Sequence, residues 1–279
     1  PHHPYTPAPD KRAAFCPNCD AKPIVHPQRE YRTQGPSVKQ VEDMKGLYYG
    51  EVRETDAAIA RFFGWMDANG LSERTTTVLV ADHGEAFGDH DVFEHAFHPW
   101  DEVARTPMIL SGAGVASRGF VDAPTHHVDV MPTVMRLAGQ DIPSDAVGLP
   151  LLQTSMETGL PMSRLTLSEV EMYGIHRYTM RHEGMKLVRH EPLNEAQFKQ
   201  YYDDLEYYPS VARGRGRWEL YDTVADPGEH NNLAGPDIGS HPLVKSLDAY
   251  RARQLPRPQE TSAPDKVLLE DLKALGYIE

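Results

Sequence analysis

Between residues 82 and 98 the chain carries Asp82, His83, Glu85, Asp89, His90, Asp91, Glu94, His95 and His98. They follow "TTTVLV", a mostly β-branched run that ends at Val80. Carboxylates are hard anionic donors, and imidazoles are neutral nitrogen donors or proton carriers. Adjacent Asp82 and His83 therefore suit a divalent cation, and Gly84 beside them lets the backbone turn sharply. His95, further along the same loop, could return over that site to protonate a leaving group or bind an anionic oxygen. Glu85, Asp89, Asp91 and Glu94 read as loop caps and surface charges, because many carboxylates on one cation would repel an anionic substrate. His98 on its own reads as a solvated loop residue.

Such a loop needs rigid elements on either side. The run 75–80 has no polar alternation, which predicts a strand buried on both faces, as parallel strands are. Before it, Val38, Val41, Met44, Tyr48, Val52, Ile59, Phe62 and Met66 recur at helical spacing, and Asn69-Gly70 supplies a stop. Gly46 and Gly50 are weak points of that helix. A second strand over 108–111 and a short helix over 129–138, with Asp129 at its start and Gly139 after its end, complete the pattern. Helix, strand, polar loop, strand and helix indicate an α/β sheet, with ligands beyond the carboxyl ends of its strands. After about residue 155 the character changes. "LTLSEVEMY", "HRYTMRH", "MKLVRH" and "RWELYDT" are short strand-like pieces, with "RHEG" as a hairpin turn. They predict a small antiparallel sheet, followed by a short helix near 242–253 and a terminal helix that Ser262 can cap and Gly276 stops. The expected division is 1–155 for the α/β part and 156–279 for an α+β subdomain.

The 279 residues are 40% hydrophobic and 25% charged, ordinary globular usage. A formal net charge of −13 argues against nonspecific binding to nucleic acid or anionic lipid. No apolar run approaches the length of a membrane span. Cys16 and Cys19, in "FCPNCD", are the only cysteines. They could be half of a zinc site with His26 as a third ligand, or simply two thiols or a small disulfide in a loop.

The segment "VLVADHGEAFGDHDVFEHAFHPWDEVARTPMIL" resembles the sulfatase family of the alkaline phosphatase superfamily. The pieces that carry the resemblance are Asp82-His83-Gly84-Glu85, Gly88-Asp89-His90, His95, Trp100-Asp101-Glu102 and Arg105-Thr106-Pro107, in order. "PHHPYTP" looks like the family's His-x-Pro-Tyr element, with His2 in the active-site position and Tyr5 closing the motif. "HHVDVMPTVMRLAG", "WELYDTVADPGEHNNLA" and "LKALGYIE" match further family segments. The Cys-x-x-Cys loop and residues 194–215 have no counterpart.

The resemblance implies a partial alkaline-phosphatase-like mixed sheet flanked by helices, and hydrolysis of a small-molecule or carbohydrate sulfate ester. It implies Asp82 and His83 as ligands of a divalent ion, most often calcium, and His2 and His95 facing the sulfate or the leaving group. In the family the nucleophile is a formylglycine on a Cys/Ser-x-Pro-x-Arg element, accompanied by an Asp-Asp metal pair. Neither occurs in these residues. The expectation is therefore the C-terminal part of a sulfatase that carries half of an active site. The rivals are a phosphonate or phosphate ester hydrolase of the same superfamily, and a degenerate, non-catalytic sulfatase-like binding protein.

Overall fold

A computed structural model describes residues 1–2, 4–19, 35–95, 98–115, 119–151, 163–200 and 216–253. Helix α1 (Pro9–Phe15) starts on a proline, whose missing N–H costs nothing in a first turn. It runs into Cys16 and Cys19, which are joined as a disulfide. Of the two readings of this pair, the small loop disulfide is the one seen; His26 lies outside the described residues.

Helix α2 (Val38–Ala68) is held at its start by a capping box between Ser37 and Gln40, and stops at Asn69 before Gly70 with φ 63°. Gly46 and Gly50 are not weak points. A Cβ on Gly46 would stand 2.8 Å from the Cys16 Cβ, and one on Gly50 would stand 2.8 Å from Pro7. The two glycines are notches that let residues 5–19 lie directly on α2. Tyr5, Met44, Leu47, Phe87 and Phe93 form the apolar cluster where this segment, the helix and the polar loop meet.

Strand β1 (Thr76–Val80) pairs with β4 (Met108–Gly112). The pairing is antiparallel, Thr76 opposite Gly112 and Val80 opposite Met108. The expectation of a strand buried on both faces fails. Residues 76–79 are half-buried and Val80 is exposed, because among the described residues β4 is the one strand hydrogen-bonded to β1. Apolar composition cannot tell a covered strand from one whose cover is absent. Met108 and Leu110 pack on Ala123 and Leu151. Between these strands, β2 (Ala86–Phe87) and β3 (Phe93–Glu94) make a small hairpin, and α3 (Asp101–Ala104) precedes the return.

Helix α4 (Val130–Leu137) begins at Asp129 as expected, but Asp129 does more than start a helix. It is fully buried, takes a two-pronged ion pair from Arg164 at 2.6 and 2.8 Å, and accepts from the His126 and Leu149 amides. Strands β5 (Thr166–Met172), β6 (Ile175–His182), β7 (Met185–His190) and β8 (Trp218–Asp222) form an antiparallel sheet in that order. The "RHEG" turn joins β6 to β7, with Glu183 and Gly184 at positive φ. A short helix α5 (Glu195–Phe198) follows β7, and α6 (Pro242–Arg253) covers the sheet through Leu243, Val244 and Leu247 on Tyr178, Met180, Leu187 and Leu220. The terminal helix expected past Ser262 lies outside the described residues.

Buried ions fasten this sheet to the polar loop. Lys186 Nζ lies 3.0 Å from Asp101 Oδ1 and 2.6 Å from Glu229 Oε1, and Arg181 pairs with Asp101. His90 places one ring nitrogen 2.9 Å from Glu102 and the other 3.1 Å from the Glu229 carbonyl. Burial opposes a charged His90, but the hydrogen bond and charge of Glu102 outweigh it and raise the imidazole pKa.

Candidate active site

The loop leaves β1 between two fixed points. The Ala81 amide reaches the Pro107 carbonyl at 3.4 Å, and the Gly84 amide donates to the Val103 carbonyl at 2.7 Å. A Cβ on Gly84 would stand 2.1 Å from the Glu102 carbonyl oxygen, so only glycine fits against α3 there. Asp82 and His83 occupy the bend between those points. Adjacent residues on a strand point to opposite faces, whereas in this bend both side chains reach one place. Asp82 Oδ2 and His83 Nε2 are 3.7 Å apart. His83 Nδ1 lies 2.8 Å from the Gly84 carbonyl, which can only accept, so Nδ1 carries the proton and Nε2 the lone pair. The Asp82 carboxylate is largely open to solvent.

His95 returns over the pair. Its ring stacks on His83 with centroids 3.8 Å apart and planes 21° apart. His2, brought in by the segment lying on α2, meets the His95 ring edge-on at 5.4 Å. The four residues singled out in the sequence, His2, Asp82, His83 and His95, are thus brought together from two distant parts of the chain.

Glu85 is not the surface charge expected of it. Its side chain is buried; Oε1 accepts from His95 Nδ1 at 3.1 Å, and Oε2 accepts from the Tyr5 hydroxyl at 2.8 Å. Burial, with the Glu85 charge beside it, holds the Tyr5 phenol pKa well above its usual range, so Tyr5 is a fixed donor. The available signal was position: Glu85 stands between Gly84 and the apolar pair Ala86-Phe87, where a strand turns inward.

His98 is not solvated either. It is 1% exposed, stacks on Trp100 at 4.4 Å, and places Nε2 3.3 Å from Arg177 Nη1. Arg177 comes from β6 and is itself buried; burial lowers its pKa to about 10, with Glu219 working the other way. Trp100 also stacks on His90, whose ring is 4.2 Å away on a plane tilted by 17°. Through His98 and Arg177 the loop meets the sheet, a long-range contact that local polarity cannot announce.

A hard carboxylate oxygen and an imidazole nitrogen with a free lone pair fit a divalent cation. The Gly84 carbonyl on Nδ1 is the usual outer contact that fixes a ligating histidine. Two imidazoles beside that pair fit an anion whose charge grows at one oxygen during reaction.

The Sulfatase family model matches residues 1–140, and the model described as N-sulphoglucosamine sulphohydrolase, C-terminal, matches residues 88–250. An ulvan-active sulfatase from Formosa agariphila is 29% identical over 91% of this chain and 46% of its own length. Among solved structures, one of a protein in complex with its substrate D-glucosamine-2-N,6-O-disulfate superposes with a TM-score of 0.58. It is 22% identical, over 84% of this chain and 47% of that one. A phosphonate monoester hydrolase from Silicibacter pomeroyi superposes with a TM-score of 0.62 at 20% identity, over 94% of this chain and 52% of that one. These likenesses show the alkaline-phosphatase-like α/β fold, of which the chain spans about half. With the Asp-His-Gly-Glu bend, the returning His95 and the His-x-Pro-Tyr segment in place, the chain belongs to the sulfatase family of the alkaline phosphatase superfamily.

Proposed function

We propose that this chain carries half of the active site of a metal-dependent sulfate ester hydrolase acting on sulfated carbohydrate. The observation that supports it is the convergence of His2 and His95 on the Asp82–His83 pair. Asp82 Oδ2 and His83 Nε2 would hold the divalent ion, calcium by the resemblance. When present, that ion supplies positive charge to the sulfate oxygens, and a formylglycine supplies the nucleophile.

The chain's own residues then have separable tasks. Asp82 brings the negative charge that retains a hard cation, and His83 adds a donor without adding repulsion toward the sulfate. His95 has its Nδ1 proton directed at Glu85, which leaves Nε2 to hold or release a proton at the leaving oxygen. Glu85 orients the His95 ring through Nδ1, and Tyr5 fixes Glu85. His2 borders the same anion. The subdomain past residue 160, with strands β5 to β8, would shape access to the site without taking part in the chemistry.

The sugar is argued from the relatives: an ulvan-active sulfatase and a protein with a glucosamine disulfate substrate both take sulfated saccharides. A phosphonate or phosphate ester could use the same Asp–His pair, and the shared fold of the phosphonate monoester hydrolase keeps that reading in view. The test joins this chain to a nucleophile-bearing sulfatase domain and compares a chromogenic sulfate ester with the matching phosphonate ester. Faster turnover of the sulfate, lost on Asp82→Ala, is expected. Preference for the phosphonate would move the chain to the rival activity. No turnover of either, with formylglycine verified by mass spectrometry, would make it a binding protein.

A further inference from the structure

Cys16 and Cys19 sit where α1 meets α2, and Asp43 reaches them from α2. Asp43 Oδ1 is 3.6 Å from Cys16 Sγ, and the Asp43 carbonyl oxygen is 3.5 Å from Cys19 Sγ. The three side-chain donors, two sulfurs and a carboxylate oxygen, all lie within 4.8 Å of one another. In a tetrahedral site with zinc–sulfur bonds of about 2.3 Å and zinc–oxygen bonds of about 2.0 Å, neighbouring ligand atoms stand roughly 3.5–3.8 Å apart. The Cys16–Asp43 separation is already such an edge. Lys39 pairs with the other carboxylate oxygen, Oδ2, which leaves Oδ1 turned to the sulfurs. Cys16 is buried, and Cys19 and Asp43 are half-buried, so a fourth position can be open to water.

We infer that, in the dithiol form, Cys16, Cys19 and Asp43 bind a zinc-class cation separate from the Asp82–His83 pair. Loading replaces the two thiol protons, which pass to solvent, and forms two metal–sulfur bonds and one metal–oxygen bond. Starting from the disulfide, a dithiol or phosphine reductant must first supply two electrons, being oxidised in turn, while the sulfurs take up two protons.

The site would do what the disulfide does not. The disulfide joins residues three apart and closes a loop too short to constrain the fold much. A metal that also takes Asp43 ties α1 to α2 and so anchors the segment that carries His2 and Tyr5. Gly46 keeps the two elements close enough for this.

The test uses the full 279-residue chain, reduced with a phosphine and kept anaerobic, titrated with Co²⁺. A thiolate-to-cobalt charge-transfer band and intense visible bands of a tetrahedral site are expected, bleached by Zn²⁺. They should persist in Asp82→Asn and vanish in Cys16→Ser and Cys19→Ser. Asp43→Asn should weaken cobalt binding by at least about tenfold. Absence of the thiolate band in the reduced chain, its loss in Asp82→Asn, or unchanged binding in Asp43→Asn would overturn the site. Should the serine variants not fold, iodoacetamide labelling of the reduced native chain decides. Zinc should slow alkylation of both cysteines, and equal rates with and without zinc would count against it.

Discussion

The rings of His83 and His95 lie face to face, 3.8 Å between centroids. Stacked this closely, the two rings turn their nitrogens to different partners. His83 has Nδ1 on the Gly84 carbonyl and Nε2 toward Asp82. His95 has Nδ1 on the buried Glu85 carboxylate. Under the proposed function, metal binding and proton handling would fall to different rings of this stack.

If Glu85 is a positioning residue for His95, Glu85→Gln should lower kcat of the completed enzyme by about 10- to 100-fold. Cation affinity at Asp82 and His83, measured by calorimetry, should change little. The pH–rate profile should also shift, since an amide replaces the carboxylate that accepts from His95 Nδ1. An equal fall in cation affinity and kcat, with the profile unmoved, would reduce Glu85 to a structural role.

The seam between loop and sheet makes a second test. Lys186 and Glu229 have side chains 2% and 1% exposed, and Asp101 shares the lysine. Burial and the nearby Asp101 push the Glu229 carboxyl up against the pull of Lys186. Removing one partner of a buried pair costs about 3–5 kcal/mol, because the other charge stays behind in a poor medium. Lys186→Met should approach the lower end, since Arg181 is 3.8 Å from Glu229 and takes up part of the charge. Adding Glu229→Gln should recover much of the loss. Urea unfolding of the single and double variants measures this, and additive losses would rule out the coupling.

Acid should loosen the same half of the molecule through Glu219. Burial would raise its pKa, yet the His190 ring 3.3 Å away, with Tyr221 and Arg217, holds the carboxyl down to about 2. The folded pKa is below the unfolded one, so this contribution is complete above the ordinary carboxylate value. It is lost as pH falls toward about 2, at about 1.4 kcal/mol per unit of that window. His190 acts in the same direction, because burial disfavours its charged form and the unfolded chain takes the proton more readily. Urea midpoints followed from about pH 5 down to about pH 2.5 should fall steeply in the native chain and less steeply in Glu219→Gln. Parallel slopes would contradict the assignment.

The legible parts of this chain share a physical property: they were written in neighbouring residues. The Asn69-Gly70 stop, the Glu183-Gly184 hairpin and the helix starting at Pro242 are all signalled by residues adjacent in sequence. The Asp82-His83-Gly84 bend belongs with them. What could not be read was the distant partner. Glu85 and His98 looked like polar loop residues because Tyr5 and Arg177, which bury them, come from far along the chain. The strand at 76–80 failed for the opposite reason: its residues ask for cover on both faces, and among the described residues they have one strand neighbour.

The metal assignment yields the sharpest prediction. Ala81 and Gly84 are pinned on the Pro107 and Val103 carbonyls, so the bend that aims Asp82 and His83 at one point is set before any ion arrives. Asp82 contributes the charge, and its carboxylate has one oxygen on the His83 amide and the other toward His83 Nε2. Asp82→Ala removes the anionic donor and a contact that shapes the bend, so cation-dependent turnover of the completed enzyme should be abolished. His83→Ala should lower cation affinity while leaving Asp82 able to bind weakly at raised metal concentration, so high calcium should restore part of the rate. Glu94, on the hairpin rather than in the bend, serves as the control, and Glu94→Ala should keep most of the activity. Calcium titrations of kcat/KM with the three variants separate these outcomes. Full activity in Asp82→Ala, or a loss in Glu94→Ala as large as in Asp82→Ala, would place the metal elsewhere.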